Sequence, residues 1–99
     1  MVHGLPVGTL VDAFGRESGS VLSPFGIPVG RRGLPAGARD YHRYRVARSF
    51  QVDASLSGGG GVRFTVNGGL FARPPALPTI RWLVRTGYLD PVTGASVPR

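Results

Sequence analysis

Apolar residues recur along this chain in short runs, each closed by glycine, proline or asparagine. That rhythm predicts strands more than helices. Val7 to Phe14 is apolar and β-branched, stops at Gly15, and reads as a strand. Gly19-Ser20 then turns the chain into Val21-Leu22-Ser23, the second arm of a hairpin. Pro24 to Gly37 carries three prolines and four glycines and reads as a surface loop. Tyr41 to Asp53 is the longest strand-like stretch. His42, Tyr44, Val46, Arg48, Phe50 and Val52 share one face, with Arg43, Arg45, Ala47, Ser49 and Gln51 on the other. Period two turns the first set inward. Arg48 interrupts it, so a bulge or a strand end is expected there. Val62, Phe64 and Val66 alternate with Arg63 and Thr65 in a further strand, and Asn67-Gly68 reads as a hairpin turn. Thr79 to Thr86 is the one convincing helix. Ile80, Leu83 and Val84 form its apolar stripe, Gly87 stops it, and Tyr88 and Leu89 return to the core. Past Pro91 the pattern fades, and the tail is expected to lack structure.

These elements make an α+β fold, a small and mostly antiparallel β domain with one C-terminal helix. Ninety-nine residues form one domain, residues 1–99, with a core spanning about 5–92. Glycine and proline are abundant, but 41% of the residues are hydrophobic. That is too apolar for a disordered chain, so the glycines and prolines mark turns. With no cysteine, disulfides and thiolate metal sites are excluded. No apolar stretch is long enough for a signal peptide or a membrane span, so no membrane association is expected.

The net charge is +7, and all twelve basic residues are arginine. Such a field favours phosphates and polyanions; a coding bias towards arginine gives the same count. The arginines are spread along the chain, which makes nucleic acid an unlikely partner. The five acids are scattered, and neither His3 nor His42 has a spaced acid beside it. No metal site is expected, nor any cofactor. A nucleophile elbow and a P-loop lysine are also missing.

A few positions remain as candidates for chemistry. By strand phase His42 lies on the apolar face at the start of its strand. It is either a structural histidine or a partly desolvated group facing substrate. The run Gly58 to Gly61 is either a flexible link or a place where backbone comes close to a ligand, with its N–H groups free to bind phosphate. Arg63 follows on the face opposite the apolar one. Arg31 and Arg32 lie in the proline-glycine loop, as two solvated cations or with one of them gripping a pyrophosphate.

Taken in order, Asp12-Ala13-Phe14-Gly15, Gly19, Leu22-Ser23-Pro24, Arg32-Gly33-Leu34-Pro35, Tyr41 to Val46, Gly58 to Phe64 and Gly87-Tyr88-Leu89 resemble the TNT domain. That is the NAD-cleaving module named after the tuberculosis necrotizing toxin. The likeness covers roughly Leu5 to Val92. It implies an NAD(P)+ glycohydrolase toxin domain, delivered as part of a larger secreted chain and neutralised by a cognate immunity protein. It implies that Phe14, Gly15, Arg32, Gly60 and Gly61 bind substrate and that His42 is the essential histidine. Three positions depart from the family pattern. Ala13 stands for an arginine, Val21 for a tyrosine or phenylalanine, and Arg63 for a glutamine implied in catalysis. These departures leave open a catalytically impaired domain that binds a nucleotide or a protein. A basic RNA-targeting toxin rests on charge alone.

Overall fold

The computed structural model describes residues 1–32 and 40–94. The strands are β1 (Val2–Leu5), β2 (Leu10–Phe14), β3 (Val21–Pro24), β4 (Tyr41–Val46), β5 (Phe50–Leu56), β6 (Val62–Thr65) and β7 (Leu89–Val92). One short helix, α1 (Ile80–Arg85), precedes β7, and 3-10 turns cover Val29–Arg31 and Gly68–Leu70. All pairings are antiparallel, in the order β1-β5-β6-β3-β2-β4-β7.

The expected interruption at Arg48 is real, and it shapes the fold. The chain leaves β4 after Val46 and enters β5 at Phe50. Yet β4 is second from one edge of the sheet and β5 is second from the other. A link this short reaches only about 3.5 Å per residue. The sheet must therefore curl until its far sides approach, giving a half-barrel. The link starts pinned to the strands beside β4: Gly8 N donates to Val46 O at 2.8 Å, and Ala47 N donates to Tyr88 O at 2.8 Å.

Residues paired across antiparallel strands share a face. Val11 pairs with Tyr44, Val46 with Leu89, Leu22 with Phe64, and Leu5 with Phe50. All of these are buried, and with Ile80 and Leu83 of α1 they form one core. Thr79 caps the helix by accepting from Trp82 N at 3.1 Å. Gly87, at φ +83, ends it. Leu89 is buried, as expected.

Four elements differ from the sequence reading. Val7 to Phe14 is not one strand; a turn at Gly8 (φ +91) separates β1 from β2. Tyr41 to Asp53 splits at the expected interruption, but its second strand runs on to Leu56. Asn67-Gly68 is not a hairpin turn: the Asn67 side chain caps a 3-10 turn by accepting from Gly69 N at 2.9 Å. The segment after Tyr88 pairs with β4 as β7, so chain order continues past Pro91.

The glycine run joins β5 to β6 and packs against the backbone of Gly30 and Arg31. A Cβ on Gly59 would lie 2.6 Å from Gly30 O, and one on Gly61 would lie 2.5 Å from Arg31 O. Backbone blocks both, so neither position tolerates a side chain without a shift. Gly59→Ala should therefore destabilise the domain by about 1–3 kcal/mol. Gly58→Ala, with nothing within 4 Å of its Cβ, should change stability by no more than about 0.5 kcal/mol. Urea unfolding of the two variants makes the comparison, and equal losses would contradict the packing.

Candidate functional site

The sheet face opposite the core carries Asp12, Ser23, Tyr41, Arg43 and Arg63, by the same registers. The loop from Phe25 to Arg32 folds over part of it. Asp12 is fully buried, and Arg32 is 6% exposed. Arg32 Nη1 donates to Asp12 Oδ1 at 2.5 Å, and Nη2 donates to Oδ2 at 3.0 Å. Its Nε donates to Ile27 O at 2.8 Å, which locks the loop to β2. Tyr41 Oη donates to Asp12 Oδ2 at 2.8 Å, and Arg43 Nε donates to Tyr41 Oη at 3.3 Å. Burial pushes the Tyr41 phenol up, Arg43 pulls against it, and the Asp12 carboxylate adds to the rise. Tyr41 therefore stays a neutral donor. The Arg32 guanidinium also lies 5.1 Å from the Phe14 ring centroid.

Beside this pair lies a small, partly open cavity of about 60 Å³ lined by Ala13, Phe14, Val21, Ser23, Arg32, Ser57, Val62 and Arg63. Val21 and Val62 stand on its rim, 44% and 37% exposed. A space this small holds a few waters. Sites for organic ligands run to about 300–1,000 Å³, so a nucleotide needs the rim to open or must lie across it. Arg63 is half-buried and makes no hydrogen bond or ion pair among the described residues.

The structure brings together Phe14, Arg32 and Arg63, which are far apart in sequence. Ala13 and Val21, two of the positions that depart from the TNT pattern, line the same space. Arg32, however, is not a loop cation held out to solvent. Its charge is matched by Asp12 inside the fold.

Gly15, Gly60 and Gly61, which the resemblance implies bind substrate, have their amides engaged within the fold. Gly15 N donates to Asp40 O at 3.0 Å, Gly60 N to Ser57 O at 3.0 Å, and Gly61 N to Arg31 O at 2.9 Å. Gly61 N also lies 3.2 Å from Ser57 Oγ, and that hydroxyl donates to Arg31 O. The glycine run serves close backbone packing. Gly33, Leu34 and Pro35 lie outside the described residues.

His42 does not join this cavity. It shares the core-side phase of Ala13 and Tyr44, as expected, but it is exposed. Its ring sits 6.2 Å from that of Tyr44. It lines a separate cavity of about 450 Å³ with Glu17, Tyr41, Tyr44 and Val92 among others. There Tyr44 Oη donates to Glu17 Oε2 at 2.6 Å, and burial pushes the Tyr44 phenol far up.

Asp12 and Ser57 were missed as site residues. Asp12 carried a signal, a lone acid within an apolar strand run, which must be paired if buried. Ser57 carried none beyond its place before the glycines.

The family model described as tuberculosis necrotizing toxin matches residues 4–92. No curated protein matches. Among solved structures, the chain resembles the tuberculosis necrotizing toxin determined in complex with its immunity factor. The TM-score is 0.62 at 18% identity, over 90% of this chain and 54% of that one. The chain thus spans about half the length of that neighbour, and the likeness is one of fold.

Proposed function

The chain belongs to the tuberculosis necrotizing toxin family, and from that premise we propose that it is an NAD(P)+ glycohydrolase toxin domain. The supporting observation is convergence. Positions 13, 14, 21, 32 and 63, singled out by comparison with the family motif, line one cavity.

The reaction breaks the N-glycosidic bond between C1′ of the ribose and the pyridinium nitrogen. The bond's electron pair passes to that nitrogen, so nicotinamide leaves neutral. Water adds to C1′ and loses a proton, leaving ADP-ribose or its phosphorylated form. Positive charge builds on the ribose as the bond stretches, and a catalyst must favour that charged state over the ground state. Phe14 offers an aromatic wall for a flat ring. Arg32 fixes the loop beside it through Asp12. Arg63 is the lining cation without a carboxylate partner among the described residues, and so the natural anchor for a phosphate.

A second reading has its own support: a domain that binds the nucleotide without turning it over. Arg63 replaces an uncharged glutamine with a cation, which would oppose a developing ribosyl cation. The cavity is also small. The neighbouring toxin was solved with its immunity factor; a cognate immunity protein and delivery within a larger chain are proposed here by extension.

The test is nicotinamide release from NAD+ and NADP+ by purified protein, with and without chelator. Release unaffected by chelator is expected. Binding by calorimetry with no release at high protein concentration would favour the second reading, and neither binding nor release would overturn both.

A further inference from the structure

No acidic residue occurs between Ala54 and Leu89, a third of the chain that includes α1 and the loops before it. Arg73, Arg81 and Arg85 belong to this stretch, and all three are exposed. None makes a side-chain hydrogen bond or ion pair among the described residues. Arg48 joins them from the β4–β5 link. It is held in place by a bond to Thr86 O at 3.3 Å and by the Tyr88 ring, 4.4 Å below its guanidinium.

Two clefts run along this surface. One, of about 600 Å³, has Arg48 and Arg73 on its walls; the other, of about 390 Å³, has Arg81 and Arg85. Trp82 and Pro75 line both and form the ridge between them. Among the described residues, no carboxylate lines either cleft. Leu77, 72% exposed, stands at the rim of the second.

We infer that this surface docks an acidic protein segment, with carboxylates seated on the four arginines and apolar side chains against the Trp82 ridge. Arginine is suited to the task, because its planar fork meets a carboxylate through two parallel bonds. Arginine and tryptophan are also the residues that most often anchor protein interfaces. Single-stranded nucleic acid fits less well, because it needs open aromatic faces for its bases. Tyr88 is covered by Arg48, and Trp82 is stacked at 5.6 Å on Tyr88 and edge-on to Phe71 at 4.9 Å. The surface borders α1, on the core side of the sheet, whereas the Arg63 cavity belongs to the opposite side. Docking here and nucleotide binding there are therefore separable.

The test uses the whole domain and a labelled oligoglutamate peptide containing one tryptophan. Binding is followed by fluorescence anisotropy and mapped through the side-chain NH resonances of arginine and tryptophan. The signals of Arg48, Arg73, Arg81, Arg85 and Trp82 should move. The double variant Arg81→Glu/Arg85→Glu should weaken binding at least tenfold, and added salt should weaken it further. Arg45→Glu, an exposed arginine outside these clefts, should change it less than twofold. The same spectra verify that each variant is folded. Equal losses from Arg45→Glu and the double variant would overturn the inference, since any cation would then serve. Tighter binding of oligouridylate than of oligoglutamate at these same resonances would also overturn it, in favour of nucleic acid.

Discussion

Replacing Asp12 with alanine is expected to destabilise the domain by about 3–5 kcal/mol, the penalty for leaving a buried charge without its partner. Asp12 is fully buried and accepts from both terminal nitrogens of Arg32 and from Tyr41. Domains of this size hold only about 5–15 kcal/mol in total, so the variant should lose a large part of its stability at room temperature. Arg32→Ala should also be costly. It strips the carboxylate of its cation and frees the loop that Arg32 Nε ties down through Ile27 O. The double substitution Asp12→Leu/Arg32→Met should recover much of either loss, because an apolar pair of similar volume carries no unmatched charge. Urea unfolding of the three variants provides the measurement. An Asp12→Ala loss below about 1 kcal/mol would mean that water reaches the pair. Any effect of Arg32→Ala on nucleotide binding must be read against this loss of stability.

The strands with regular alternation were legible in the sequence; those at the sheet edges were not. Val62 to Val66 and Tyr41 to Val46 alternate because one face of each meets the core. In β1 only Leu5 is buried, so Val2, His3 and Gly4 leave no periodic trace. Pro91 argued against a strand, since proline cannot donate to a ladder. Among the described residues β7 is an edge, paired only with β4, so the missing donor can face outward. Phase placed Arg63 correctly on the face opposite the core. It gave the side for His42 but not the depth. The Asp12–Arg32 bond joins a strand to a loop twenty residues on, and local pattern carries no record of such a partner. The glycine run showed the same limit. Close approach was foreseen, but the approaching group is the backbone of Gly30 and Arg31.

Arg63→Gln is expected to weaken NAD(P)+ binding by about 1.5–3 kcal/mol, the range for a hydrogen bond to a charged group, or roughly 10- to 100-fold in Kd. The reason is the charge balance of the cavity. Arg32 is neutralised by Asp12, which leaves Arg63 as the lining cation unmatched among the described residues. A half-buried guanidinium with no internal partner is stabilised by an incoming anion, and a diphosphate supplies one. Adding Ala13→Arg, the arginine of the family pattern, should not simply restore the grip. Ala13 is 5% exposed and packs in the core cluster, so a long cation there must displace its neighbours, at about 1–3 kcal/mol of overpacking. Calorimetry on the single variant, with nicotinamide release measured alongside, separates the possibilities. Lower affinity with unchanged kcat places Arg63 on the phosphates. Unchanged affinity with a higher kcat would place its charge beside the ribose, where it opposes the developing cation, and would overturn the assignment. A variant equal to the wild type in both would remove Arg63 from the site.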